Sequence, residues 1–278
     1  MMHLDPQRIR PPAVAGTFYP GHAPALTDTL ASLIKAAVGG LPASFEVPKA
    51  IIAPHAGYIY SGPIAASVYA RLTPAATRIR RVVLLGPTHR VGVNGLALPS
   101  ASHFMTPLGA VAIDDDARTQ LAELPQVVVA DPPHAQEHSL EVQLPFLQFV
   151  LSSFSLLPLA VGHASADAVA EVLDRLWGGP ETLIVVSSDL SHYLPYATAR
   201  DIDASTASRI VSLDPHVVHD EACGATPVNG LLLAAARHGL HAERIDLRNS
   251  GDTAGDRNRV VGYGAFAFIS GEGSHNGQ

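Results

Sequence analysis

Two short apolar runs, each broken by a proline with a histidine close behind, constrain this chain more than any other feature. The first lies in Ala50–Gly62, AIIAPHAGYIYSG, and the second in Arg81–His89, RVVLLGPTH. An apolar run of this length, bounded by turn residues, reads as a buried strand. Proline ends it, having no N–H to give to a ladder. In open α/β sheets, ligands bind beyond the carboxyl ends of the strands. His55 and His89 therefore stand where such a sheet does its chemistry.

A third run, TLIVV at 182–186, ends in Ser187-Ser188-Asp189-Leu190-Ser191-His192. Further strands are expected at 96–99, 109–113, 127–130, 154–161, 242–247 and 260–269. Helical spacing fills the gaps. Helices are expected at 24–38, at 61–72 with Ser61 as N-cap, and at 115–124, opened by aspartates. Another is expected at 138–151, striped by Leu140, Leu144, Leu147 and Leu151 and kinked at Pro145. The rest fall at 165–177 with Ser165 as N-cap, 199–212, a short piece near 215–220, and 228–238 behind Thr226-Pro227. This alternation predicts an α/β fold, a single domain with a mostly parallel central sheet flanked by helices. No composition break divides residues 1–278. Residues 1–20 read as an extended lead-in, because Pro11, Pro12 and Pro20 exclude regular helix. Residues 270–278 read as a flexible tail.

Composition narrows the function. The formal net charge of -7 and the lack of a Lys/Arg run argue against nucleic-acid binding. No apolar stretch approaches the roughly 18–20 residues of a membrane span, and no secretory h-region is present. The single cysteine, Cys223, excludes an intrachain disulfide and fits a reducing, cytoplasmic location.

Four polar loops follow apolar strands: Pro54-His55, Thr88-His89, Asp189–His192 and Asn249–Asp252. If those strands are parallel, all four emerge on one rim. Imidazoles with a carboxylate or thiolate make a transition-metal site. The plainer alternative is that each histidine caps a strand or bonds a carbonyl. Cys223 is either a small buried hydrophobe or, near a helix start that lowers thiol pKa, a ligand or reactive thiol. His138 and Glu141, three apart on an expected helix, share a face. They either orient ligands, form a proton-transfer pair, or belong to a solvated helix start. His163 and His219, with other histidines, lack strand-end context and read as structural or surface. GxSxG, HExxH, Walker A and strand-linked GxGxxG patterns are absent from the sequence.

The segments APHAGYIYSG, LLGPTHR, TPLGAVAID, EHSLEVQLPFLQ, VVSSDLSHY, CGATPVNGLL, NSGDTAGD and VVGYGAFAF occur in this order. Together they resemble the MEMO1 family, whose bacterial and archaeal members are called AmmeMemoRadiSam system protein B. The resemblance runs from about Arg10 to Ile269. It implies a fold like that of the LigB-type class III extradiol dioxygenases, built round a metal-site cleft. It implies His55, His89 and Cys223 at the metal-ligand positions, with Asp189 and His192 as catalytic residues beside them. The ion implied is Fe(II) or Cu(I), with Zn as a further choice. Implied partners are a small-molecule substrate or an anionic peptide group, and AMMECR1-domain and radical SAM proteins.

In the dioxygenases a glutamate completes the two-histidine set on iron. A thiolate in its place is softer and oxidisable, so the fold does not carry dioxygenase chemistry with it. Two functions follow as expectations. One is a metal-dependent redox or dioxygenase-like enzyme with His192 as general acid/base. The other is a non-catalytic metal-handling or partner-binding protein. A metal-assisted hydrolase stands third.

Overall fold

The structure is a computed structural model that describes residues 8–271. In chain order it contains β1 (Ile9–Arg10), α1 (Ala23–Val38), β2 (Ala50–Ala53), α2 (Tyr58–Tyr69), β3 (Arg81–Pro87), β4 (Leu96–Leu98), β5 (His103–Thr106) and β6 (Gly109–Ala112). Then come α3 (Asp115–Gln120), β7 (Val127–Val129), α4 (Pro132–Ala135), α5 (Leu144–Val150), β8 (Ser155–Val161), α6 (Ala166–Leu176) and β9 (Thr182–Ser187). The chain continues with β10 (His192–Leu194), α7 (Tyr196–Val211), α8 (Ala225–Arg237), β11 (Leu240–Asn249) and β12 (Val260–Ser270).

Nine strands form the central sheet, in the order β10-β12-β2-β9-β3-β8-β4-β7, with β11 paired to β12. The middle four, β2, β9, β3 and β8, are parallel. Antiparallel pairings appear toward both edges, where β12 runs against β2 and β4 against β8. The central strands are buried along both faces, as a sheet covered by helices requires. One apolar cluster, with Leu30, Tyr69, Phe146 and Val185, fills one side of the sheet. A second, with Leu85, Val169, Leu231 and Phe268, fills the other. A small separate sheet, β1-β5-β6, flanks them. No helix among the described residues is long and apolar enough to cross a membrane.

The structure moves several boundaries. Ser61 lies inside α2, whose N-cap is Gly57, and its hydroxyl donates to the Ala56 carbonyl at 2.8 Å. Pro145 sits in the first turn of α5, where its missing N–H costs no helical bond, so it starts the helix instead of kinking it. Residues 138–143 are therefore not the first turn of a long α-helix; only Glu141–Gln143 make a 3-10 turn. Likewise α8 begins at Ala225, with Thr226 and Pro227 in its first turn, and the helical piece expected near 215–220 is irregular chain that turns only at its end, 219–220. Ser165 does cap α6, accepting from Ala168 N at 3.1 Å.

The N-terminal segment is fixed to the body of the protein. Ile9 and Arg10 pair with β5, and Gly16 donates to Tyr19 O across a tight turn. Residues 1–7 of the expected lead-in lie outside the described residues. So do residues 272–278, on which most of the expected tail falls.

Burial of a histidine in this fold has a consequence for stability. His134 in α4 is 2% exposed. Its Nε2–H donates to Ala97 O at 2.9 Å, while Nδ1 has no partner. Burial pushes its pKa down to about 4. An unfolded-state histidine takes a proton near about 6.5, so between the two values the unfolded state binds more protons and stability falls as pH falls. The loss is complete once the pH is below the folded value, and amounts to about 3 kcal/mol. Urea unfolding from pH 7 to 4 is expected to show a steeper loss in the wild type than in His134→Gln. Parallel curves would remove His134 as the cause.

Candidate metal centre

Strands β2, β9 and β3 are adjacent and parallel, so their ends share one rim. His55 follows β2 by two residues, and its ring is 1% exposed. Ser187, the last residue of β9, fixes the ring's proton. The Ser187 hydroxyl donates its one hydrogen to Ser139 O at 2.6 Å. It must therefore accept from Gln143 Nε2 at 2.8 Å and from His55 Nδ1 at 2.9 Å. The proton of His55 sits on Nδ1, and Nε2 presents a bare lone pair to the pocket.

His89 has the same polarity from a different partner. Its Nδ1–H donates to Glu137 Oε1 at 2.9 Å, and its backbone N–H donates to Glu137 Oε2. The N–H groups of His138 and Ser139 also donate to Oε1, each at 2.9 Å. Burial pushes the Glu137 carboxyl up, but the bonds from His89 and Ser139 outweigh it and hold it down to about 2. An ionised carboxylate behind a ligand histidine fixes the ring and raises its basicity.

The third imidazole is His138, whose Nδ1 lies 3.3 Å from the same Glu137 oxygen. Ring centroids are 5.2 Å apart for His55–His89, 5.4 Å for His55–His138 and 4.7 Å for His89–His138. One nitrogen from each ring lies within 4.8 Å of the others. Among the described residues this is the one cluster of three or more donors that could hold a metal ion. Burial and the neighbouring imidazoles push His55 well below the usual histidine range. Burial also takes His138 down to about 4. Both rings are neutral at pH 7, as ligation requires.

Cys223 stands beside this cluster. Its Sγ lies 3.3 Å from His55 Nε2 and 3.7 Å from Asp189 O. Since Nε2 is bare, the thiol is the donor. Two ligands of one tetrahedral ion with N and S bonds of the usual lengths stand roughly 3.5 Å apart, so the thiol is placed to share an ion with His55. Gly224 permits this approach, because a Cβ there would lie 2.7 Å from Ser188 Cβ. Of the two alternatives for Cys223, the thiol activated by a helix start runs against its surroundings. Burial, and then the Asp189 carboxylate, push the thiol up to about 12.

Asp189 is buried, and its Oδ1 accepts from His55 N at 2.8 Å. Burial lifts its carboxyl to about 7. His192 is half-buried at the start of β10 and lies outside the three-imidazole cluster. Tyr193 after it is held at φ +57°, a left-handed conformation unusual for a bulky residue. Glu141 is not in the pocket. It is fully buried and binds Arg10, Ala13 N, Val14 N and Tyr19 OH. The shared helix face inferred for His138 and Glu141 fails because the chain between them is not α-helical. The Asn249–Asp252 loop reaches the same rim, since β11 runs with β2, but it satisfies itself: Asn249 Oδ1 accepts from Gly251 N and Asp252 accepts from Asn249 N.

A cleft of ≈ 510 Å³ opens onto His89 and Cys223. Thr88, Asn94, His163, His219 and Thr226 also line it, and no carboxylate does. His163 and His219 thus face the site as well: His163 follows β8 by two residues, as His55 follows β2, a strand-end position missed in the sequence, whereas His219 lies in the loop before α8. Glu137 had no periodic signal, being one acidic residue in a short loop; what marks it in the sequence is its place as the first residue of the family segment EHSLEVQLPFLQ.

The sequence pattern of the family described as "Memo-like protein" matches residues 10–267. A "MEMO1 family protein" of Aquifex aeolicus is 38% identical over 275 residues, which cover 94% of this chain and 100% of that one. Another, from Ignicoccus hospitalis, is 36% identical over 289 residues, covering 94% and 98%. The crystal structure of an uncharacterized protein from Escherichia coli K12 aligns with a TM-score of 0.49 and 13% identity, over 78% of this chain and 99% of that one. With the family pattern spanning nearly every element that builds the pocket, the chain belongs to the MEMO1, or Memo-like, family.

Proposed function

We propose that the pocket holds one transition-metal ion through His55, His89 and His138, and that the protein is a redox or dioxygenase-like enzyme acting on a small molecule in the adjoining cleft. One observation carries this reading. Two of the three rings have their Nδ1–H groups committed, to Ser187 and to Glu137, which leaves Nε2 lone pairs for a cation. Three imidazoles with a thiol nearby suit Fe(II), Cu(I) or Zn(II). When bound, a redox-active ion supplies electron transfer and Lewis-acid polarisation. The protein's own groups then bind and orient substrate. The acid-free cleft admits an anionic or phenolic molecule to the side bearing His89 and Cys223. Asp189, titrating near 7, and His192 hold and release protons beside the pocket.

Cys223 favours a second reading. A fourth protein ligand would close the site, and closed four-ligand sites are structural or storage sites, whereas catalytic ones keep a position open. The protein would then handle metal or dock an anionic group without turnover. Protein purified anaerobically without added metal and measured by elemental analysis is expected to contain close to one equivalent of Fe, Cu or Zn. Oxygen uptake with catechol-type substrates by the Fe(II)- or Cu(I)-loaded protein favours the enzyme. Stoichiometric metal with no oxygen uptake favours the holder, and no bound metal would sink both.

A further inference from the structure

Glu137 and His138 lie on a loop without regular secondary structure, between α4 and the 3-10 turn at Glu141–Gln143. Something must hold that loop if it is to present a ligand. The holder is Arg10, 6% exposed and more than a hundred residues earlier in the chain. Its Nε donates to His134 O at 2.8 Å and its Nη2 to Glu137 O at 2.6 Å. Its Nη1 pairs with the Glu141 carboxylate. One planar guanidinium thus fastens the loop at its start, its middle and its end. The N-terminal segment adds further contacts. Ala13 N, Val14 N and Tyr19 OH donate to Glu141, and the Phe18 ring meets His138 edge-on at 4.8 Å.

We infer that Arg10 is a positioning residue of the metal centre: its three-way fork sets where Glu137 supports His89 and where His138 presents its ring. The inference rests on the proposed metal binding and goes beyond it, since Arg10 touches no candidate ligand atom. Lysine cannot replace the fork. Its ammonium is a point charge on a flexible stem and cannot span three acceptors in one plane.

The test is a chelator-competition titration of Co(II) and Zn(II) into the full chain, with the Co(II) visible spectrum recorded alongside. Arg10→Lys is expected to weaken binding by at least about tenfold, within the range for groups that orient ligands. It is also expected to alter the Co(II) bands as His138 drifts. Arg71→Lys, at a part-buried pair with Glu243 outside the loop, is the control for loss of an arginine bond and keeps the wild-type spectrum. If Arg10→Lys does not fold, Arg10→Met with Glu141→Gln removes the fork without leaving a buried unpaired charge. The inference is overturned if either folded variant binds within twofold of wild type with an unchanged spectrum. It is also overturned if an unfolded one refolds on metal with wild-type affinity. A wild type that binds no metal refutes the metal reading itself, a separate outcome.

Discussion

His55→Ala is expected to abolish stoichiometric metal binding, weakening affinity by at least about a hundredfold. Groups that only orient a ligand already account for 10–100-fold, and His55 is the most buried ring of the three, with its proton fixed by Ser187. The substitution also leaves Ser187 Oγ and the Cys223 thiol without their imidazole partner. Titration of Zn(II) or Fe(II) against a chelator, under anaerobic conditions, measures it. A loss of less than about tenfold would remove His55 from the ligand set, since even orienting groups reach that size. Cys223→Ser in the same assay separates the two functions. A fall as large as that of His55→Ala makes the thiolate a fourth ligand and the site closed. A fall under about tenfold leaves three imidazoles with an open position.

Glu141→Ala is expected to destabilise the fold by about 3–5 kcal/mol, the cost of breaking a buried ion pair from one side. The guanidinium of Arg10 stays buried without its counter-charge, and Ala13 N, Val14 N and Tyr19 OH lose their acceptor. Against a total stability of about 5–15 kcal/mol, that is a large fraction. Thermal melting should shift down by roughly 10 °C for a chain of this size. Glu141→Gln, which keeps an acceptor oxygen, should lose less. A shift in Glu141→Ala equivalent to under about 1 kcal/mol would mean that water replaces the carboxylate, and that the N-terminal segment is fastened elsewhere.

The fold was legible wherever burial leaves a local signature. AIIA, RVVLL and TLIVV read as strands because strands buried on both faces are apolar without interruption, and all three lie in the centre of the sheet. The antiparallel edges were not legible, since pairing direction has no pattern within a single strand. Helix ends were misread where a cap residue type and the real start lay a few residues apart, as at Ser61 and Thr226.

The sequence by itself determined that His55 and His89 stand at strand ends, because Pro54 just beyond β2 and Pro87 as the last residue of β3 close the two apolar runs, and the next polar residues must leave the sheet. It also determined the family, through ordered segments across the whole chain. Only the tertiary structure decided the rest of the centre: that His138 is the third imidazole, that Glu137 supports His89, that Glu141 anchors the N-terminal segment, and that the Cys223 thiol abuts His55. The reason is physical. Those four residues are placed by loop backbone and by hydrogen bonds between segments from 48 to 168 residues apart. A bond across that distance has no periodicity for a sequence to display.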